Sequence, residues 1–418
     1  MRWATVALAA VLAVVAFDGC GSSSDQTLAA TRIRGRTLTI YASAPLRGPS
    51  TVSGEAVING AQLALDQVDS RIGEYRIALK VLDDATVARG GWDPGQTTIN
   101  VRAAVLDPTT IGYVGDYNSG ASAISIPPLN RAGIPQVSPT SAAVGLTSAA
   151  LGANPGEPQK YYPTGIRTFA RVVPNDRIQS IAQVSVQQEV GCTSTFVLND
   201  GEVDGSDAAR SFTVAAQAAH LHLAGVGTFP RQAKSYTSLA TGIAHMSPPP
   251  DCVMIAADTE SGAALLTTDL AAAMPTVKIF GTAGLAESTY ADPSQGGIPL
   301  SVDSRVVLTS PALGLNESPP SARVFNTAYT RRFGPPQPDA IFGYEAMSLM
   351  LDAIHRATDD GTEPAVRSDV RRAIFATHDR HSVLGTYSIT RNGDTTLERY
   401  GVWGIVQGRL TFREAIGA

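Results

Sequence analysis

Residues 111–141 read IGYVGDYNSGASAISIPPLNRAGIPQVSPTS. Ile111–Gly115 is a short apolar run, Ser119–Ala132 has helical spacing, and Pro135–Ser138 begins a second short run. Strand, polar loop, helix and strand in that order is the unit of a parallel sheet, because parallel neighbours need a crossover of a dozen or more residues. The alternation continues outward. Strands are expected at Leu38–Ala42, Ile77–Leu82, Thr195–Leu198, Val253–Ala257, Val277–Gly281 and Val306–Thr309, with helices at Ser53–Val68, Asp176–Gln188, Asp204–His220, Ser261–Ala273 and Ile341–Arg356. Strands that are apolar throughout predict sheets buried on both faces, the doubly wound α/β class.

The 418 residues exceed what one core supports, since single cores stop growing near ~250–300 residues. Two lobes are therefore expected, joined by a three-segment hinge: 37–168 with 312–382, and 169–311 with 383–418. The first crossing is read at FARVVPND (169–176) and the second near the proline-rich SPALGLNESPP (310–320). Leu384–Thr390 and Arg399–Phe412 read as antiparallel strands joined at Asn392-Gly393, a strong hairpin signal. Hydrophobic residues make up 44% and charged residues 17%, against about 25% charged in an average domain, which excludes a charge-driven disordered chain. A net charge of −5 supplies no basic field for phosphates, so nucleic acid is not an expected partner.

The first residues, MRWATVALAAVLAVVAFDGC, carry Arg2 and an apolar run from Ala4 to Phe17. The run is shorter than the ~20 residues of a membrane span but fits the apolar region of an export signal. Residues 1–19 are thus expected to be a signal peptide and 20–36 a tether. Gly19-Cys20-Gly21 followed by three serines resembles a bacterial lipoprotein site, in which Cys20 is acylated; Phe17 and Asp18 depart from the usual pattern, and plain secretion is the alternative. The other cysteines, Cys192 and Cys252, each precede a strand-like run. If those strands are parallel neighbours, both thiols lie at one sheet end, within the ~5.5–6 Å Cα spacing of a disulfide, so a Cys192–Cys252 bridge is expected, with two buried thiols as the alternative.

Four stretches carry a resemblance: IYASAPLRGPSTVSGEAVINGAQLA (40–64), VGDYNSGASAISIPPLNRAGIPQVSPTSAAVGLTS (114–148), KYYPTGIRTFARVVPND (160–176) and FGYEAMSLMLDAI (342–354). They are similar, in the same order, to the leucine/isoleucine/valine-binding solute receptors of ABC importers, the type I periplasmic-binding fold. The resemblance implies a non-catalytic, lipid-tethered receptor that closes over an amino acid or related small carboxylate and presents it to ABC permease subunits. It implies no cofactor. It matches Ser119 to the residue that holds the ligand carboxylate and Thr140 to the next backbone contact; Tyr117 and Asn118 lie in the same loop. Physical chemistry points the same way, because a loop opening a helix beyond a strand presents free N–H groups to an anion. Ordinary helix capping by these residues is the bland reading.

Two departures concern the ligand's ammonium. The family's threonine is here Ala142, and its glutamate is here Ala283. A buried ammonium without an anionic partner costs several kcal/mol as an order of magnitude. Asp204, standing where the family carries a cleft tyrosine, is the first candidate replacement and Asp258 the second; Glu260 and Glu287 follow strands of the same lobe but read equally well as helix caps or surface acids. A core position is expected for Tyr344. A receptor that signals to a separate membrane partner is the rival function, and a secreted hydrolase a third.

Other chemistry finds little support. Asp200-Gly201-Glu202-Val203-Asp204-Gly205 opens like a calcium loop, but Ser211 stands where the bidentate glutamate is needed. Gly115–Gly120 has phosphate-loop spacing with Ala121-Ser122 in place of Lys-Ser/Thr. The sequence contains no HExxH and no GxSxG, so neither a metal site nor an enzyme is expected.

Overall fold

The computed structural model describes residues 31–417; the expected export signal and Cys20 lie outside the described residues. The chain builds two sheets. The first runs in the order Arg71–Ile72, Tyr75–Asp83, Thr37–Ala44, Thr110–Val114, Gln136–Ser138, Phe169–Arg171, parallel except for its first pair. The second runs His222–Thr228, Ser194–Asn199, Cys252–Ala256, Lys278–Gly281, Val306–Ser310, Arg399–Val406, Arg409–Gly417. Its first five strands are parallel and the last two antiparallel. The doubly wound α/β expectation holds for both.

Burial on both faces is visible residue by residue. Leu38, Ile40 and Ala42 join the core beneath helix Ala340–Ala357, while Tyr41 between them joins Val101 and Leu129 on the opposite face. In the second sheet Val253 and Ile255 pack with Leu266 and Leu270, whereas Met254 and Ala256 pack with Ala208 and Phe212. Period-two alternation between two cores makes these strands read as unbroken apolar runs. Helix Thr51–Asp66 lies against helix Ala340–Ala357. A Cβ on Gly60 would meet the Ala340 carbonyl oxygen at 2.1 Å, and one on Gly343 the Val57 oxygen at 2.1 Å. Only glycine permits this approach.

The first and third passages between sheets fall later than the sequence suggests. Phe169–Arg171 pairs with Gln136–Ser138 in the first sheet, so the chain leaves that lobe after Arg171. Tyr387, Ile389 and Leu397 pack in the first lobe's core, which moves the third passage from residue 383 to the approach to Arg399. The hairpin expected at Asn392-Gly393 is a correction: that turn closes only the single bridge Ile389–Thr395. The long antiparallel pair is Arg399–Val406 with Arg409–Gly417, turning at Gln407 and Gly408 with φ of 51° and 71°. Positive φ at both central positions is what a two-residue hairpin demands, and here Gln-Gly supplies it in place of Asn-Gly. Strand His222–Thr228, a sheet edge, escaped prediction because two glycines and partial exposure erase its pattern.

Cys192 and Cys252 form a disulfide with a Cα–Cα distance of 5.9 Å. Strands Ser194–Asn199 and Cys252–Ala256 are parallel neighbours, Cys252 lying opposite Thr195, as the expectation required. A bridge closing a loop of 60 residues is worth roughly 4 kcal/mol in the chain-entropy view.

Candidate functional site

The strand ends of both sheets face a common gap. In the first lobe, strand Thr110–Val114 delivers the loop 115–118, and helix Ser119–Arg131 follows it. The loop is pinned from behind by Asp116, which accepts hydrogen bonds from Tyr113 Oη at 2.9 Å and from Ser125 Oγ. Its carbonyl accepts from Ser138 Oγ at 2.8 Å and Ser141 Oγ at 3.0 Å. Burial pushes the Asp116 carboxyl up to about 6 although Ser125 and Tyr113 hydrogen-bond to it. Thr140 Oγ1 donates to the Tyr117 carbonyl at 2.6 Å, tying the second loop to the first. Ser119 and the Thr140 loop are therefore neighbours, as the sequence reading needs.

A narrow cavity of about 60 Å³ lies between the lobes, enough to hold a small solute group or a few waters. Tyr117, Asn118, Thr140, Ala142, Asp204 and Asp258 all line it, and so does Ala283. Ser119 is fully buried and does not line it, reaching it only through Asp204, which its N–H holds. Tyr344 does not line it; half-buried at the margin of the core, that side chain packs on Phe325 and its hydroxyl donates to Gln67.

The electrostatics of this cavity are one-sided. Asp204, at the start of helix Val203–Ala218 in the second lobe, crosses the gap and accepts the Ser119 N–H with both oxygens, at 2.9 and 3.0 Å. The protein's own carboxylate thus occupies the seat assigned to a ligand's carboxylate. Ser119 Oγ accepts from the Ala143 N–H at 3.1 Å. Asp258 accepts from Asn118 Nδ2 at 2.8 Å. The Tyr117 hydroxyl lies 2.9 Å from Glu287 Oε1 and 2.7 Å from Asp339 Oδ2, and its one proton serves only one of them. Burial pushes Asp204 and Asp339 up to about 6 and Glu287 to about 7, with the Asp339 charge adding to the last. Asp258 rises well above the carboxylate range through burial and the charges of Asp204 and Asp200. No lysine or arginine lines the cavity.

Sequence reading missed Asp176 and Asp339, both cavity-lining. The signal for each was an acid just before or at a helix start, Asp176 after Asn175 and Asp339 before Ala340, which looked like capping chemistry. Glu260 lies away from the cavity and pairs with Arg231 at 3.4 Å. The calcium-like loop splits three ways: Asp200 accepts from Ser261 Oγ, Glu202 pairs with Arg89 and Arg231, and Asp204 goes to Ser119. Among the described residues no group of three or more His, Cys, Asp or Glu is arranged to hold a metal, and no helix is long and apolar enough to cross a membrane.

Solved structures with this architecture cover most of the chain. A leucine binding protein LivK from Thermotoga maritima superposes with a TM-score of 0.77 at 20% identity, covering 91% of this chain and 99% of that one. The branched-chain amino acid transporter substrate binding protein LivJ from Streptococcus pneumoniae, solved with isoleucine, gives 0.73 at 17% identity over 91% and 100%. An ABC transporter solute binding protein from R. palustris, solved with benzoate, gives 0.73 at 17% over 91% and 98%. At these identities the likeness establishes the fold. No curated protein sequence gives a significant match. The sequence pattern of the periplasmic binding protein family matches residues 37–403, and the chain belongs to that family of binding proteins.

Proposed function

We propose that this chain is the extracytoplasmic solute receptor of an ABC importer, whose lobes close on a small amine-bearing solute, an amino acid or a relative of one, and present the closed form to permease subunits. The observation that carries this reading is the cavity where both lobes meet, floored by the Ser119 loop and lined by Asp204 and Asp258 from across the gap. Open α/β sheets bind ligands beyond their strand ends, and closure shifts with a ligand's differential affinity for the two states. Family membership and the solved transporter proteins of the same fold support the transport context. Cys20 fits a lipid anchor on the outer face of the cytoplasmic membrane; loss of acyl-lipid labelling in Cys20→Ala is the outcome that agrees with it.

The test of the receptor reading is a thermal-shift screen of the full chain against amino acids, amines, amides and aromatic acids. A true ligand at 100 times its dissociation constant stabilises by about 2.7 kcal/mol. A flat response across the whole screen overturns the reading.

A further inference from the structure

We infer that the solute bound in this cleft presents ammonium groups and no carboxylate, the protein supplying the carboxylate itself through Asp204. The inference rests on the receptor reading and narrows its solute to amines that lack the carboxylate of an amino acid.

Three observations carry it. At the Ser119 helix start both Asp204 oxygens already hold the N–H, and the helix start at Ala340, also in the first lobe, meets the cavity with another carboxyl, Asp339. A ligand carboxylate would have to displace Asp204 and then sit beside it, with Asp176 and Asp258 also facing the space. Like charges at such range inside a protein repel far more strongly than in water. Second, no lysine or arginine lines the space, although the Arg171 charge acts on Asp176. Arg171, wholly buried, is committed to Asp394 at 2.7 Å and to the carbonyls of Ser141 and Ala143 at 3.0 and 2.8 Å. Third, Asn118, 2% exposed and lining the cavity, gives its N–H to Asp258 and leaves Oδ1 without any hydrogen-bond partner. A buried acceptor left open beside carboxylates calls for a donor. An ammonium, with three donors and no acceptor, meets both needs; the scattered carboxylates do not make a metal cage.

The small cavity favours a short amine, and 1,4-diaminobutane is a suitable probe. Calorimetric titration of the full chain compares it with leucine, benzoate and acetamide at low salt. The expected result is binding of the diamine at least tenfold tighter than each of the others. Asp204→Ala should weaken the diamine at least tenfold and, by vacating the Ser119 N–H, strengthen benzoate. Leucine or benzoate binding the native chain as tightly as the diamine overturns the inference while leaving the receptor reading intact. Acetamide binding equally well overturns it too, since charge is then not recognised. Unchanged diamine affinity in Asp204→Ala does the same; should that variant fail to fold, the four native titrations still decide. If none of the four binds and the wider screen is also flat, both readings fall together.

Discussion

The rim and the interior of the cleft cross the same gap with opposite electrostatics. At the rim, Arg89 of the first lobe pairs with Glu202 of the second at 2.6 Å, Arg231 joins the same carboxylate, and Gln232 donates to the Arg89 carbonyl at 2.9 Å. Inside, Asp204, Asp258 and Glu287 reach across to N–H and O–H groups, and no cation meets them. A rim of paired charges can close by itself. An interior of unpaired carboxylates closes comfortably only when they are protonated or when a cation arrives, which is how a receptor keeps closure dependent on its ligand.

The largest effect that would break this comparison comes from a buried charge that is fully paired. Arg171 is wholly buried, bridging Asp394 and the carbonyls beneath the Ser138–Thr147 loop. Arg171→Met should cost about 3–5 kcal/mol in urea unfolding, because Asp394 and two carbonyls lose their partner. Asp204→Asn removes a charge that has none, so without ligand it should leave stability unchanged or raise it. Equal losses in both variants would erase the distinction between paired and unpaired interior charge.

A pH series sharpens the same point. Asp204, Asp339 and Glu287 hold their protons in the closed fold up to about 6, 6 and 7, but release them near 4 when unfolded. Between those values the folded state binds more protons than the unfolded one, so stability must fall as pH rises from about 4 to about 7. For Asp204 alone the change is on the order of 2–3 kcal/mol. Burial is the main cause of its rise; the Ser119 and Gly120 N–H groups lower its pKa and the Asp200 charge raises it, while Asp176 and Asp258 feel its charge across the cavity. Below pH 4 the trend reverses, because Asp107, held low by Lys80 and Thr109 against its desolvation, and Asp251, held low by Thr193 and Ser194, lose their stabilised charge there. The expected outcome is a maximum in the unliganded melting temperature near pH 4, a decline toward pH 7, and a shallower decline in Asp204→Asn. A melting temperature that climbs steadily from pH 4 to 7 contradicts the unpaired interior.

Much of this was legible from residue pattern. The unbroken apolar strands gave away sheets buried on both faces, and cysteines before two strands gave away their adjacency. The Ser119 loop was legible because a strand, a polar turn and a small-residue helix start leave little else for free N–H groups to do. Asp204 was singled out for its charge, yet its place on the Ser119 N–H was hidden, since that contact joins residues 85 apart in sequence and depends on how two lobes meet. Asp176 and Asp339 were hidden for another reason: at a helix start an acid that caps and an acid that faces a cavity have the same local sequence. The Gln407-Gly408 turn was masked by a more familiar Asn-Gly pair nearby, which closes a tight local loop instead.

The smallest effect lies at the rim. Arg89 is partly exposed and stacks over Trp92 at 5.2 Å, and exposed ion pairs contribute about 0–1 kcal/mol. Arg89→Ala should therefore barely move the unfolding midpoint. Its expected signature is geometric: with Arg231 still on Glu202 but no cation on the first lobe, the unliganded protein should scatter X-rays with a larger radius of gyration at low salt. Because a Debye length of ~10 Å at 0.1 M screens the rim but not the buried cavity, the native chain should drift toward the same radius as salt rises. A saturating ligand should restore the compact form in variant and native alike, since the contacts that make closure depend on it lie inside. If the variant stays open with ligand bound, the rim and not the carboxylate interior governs closure.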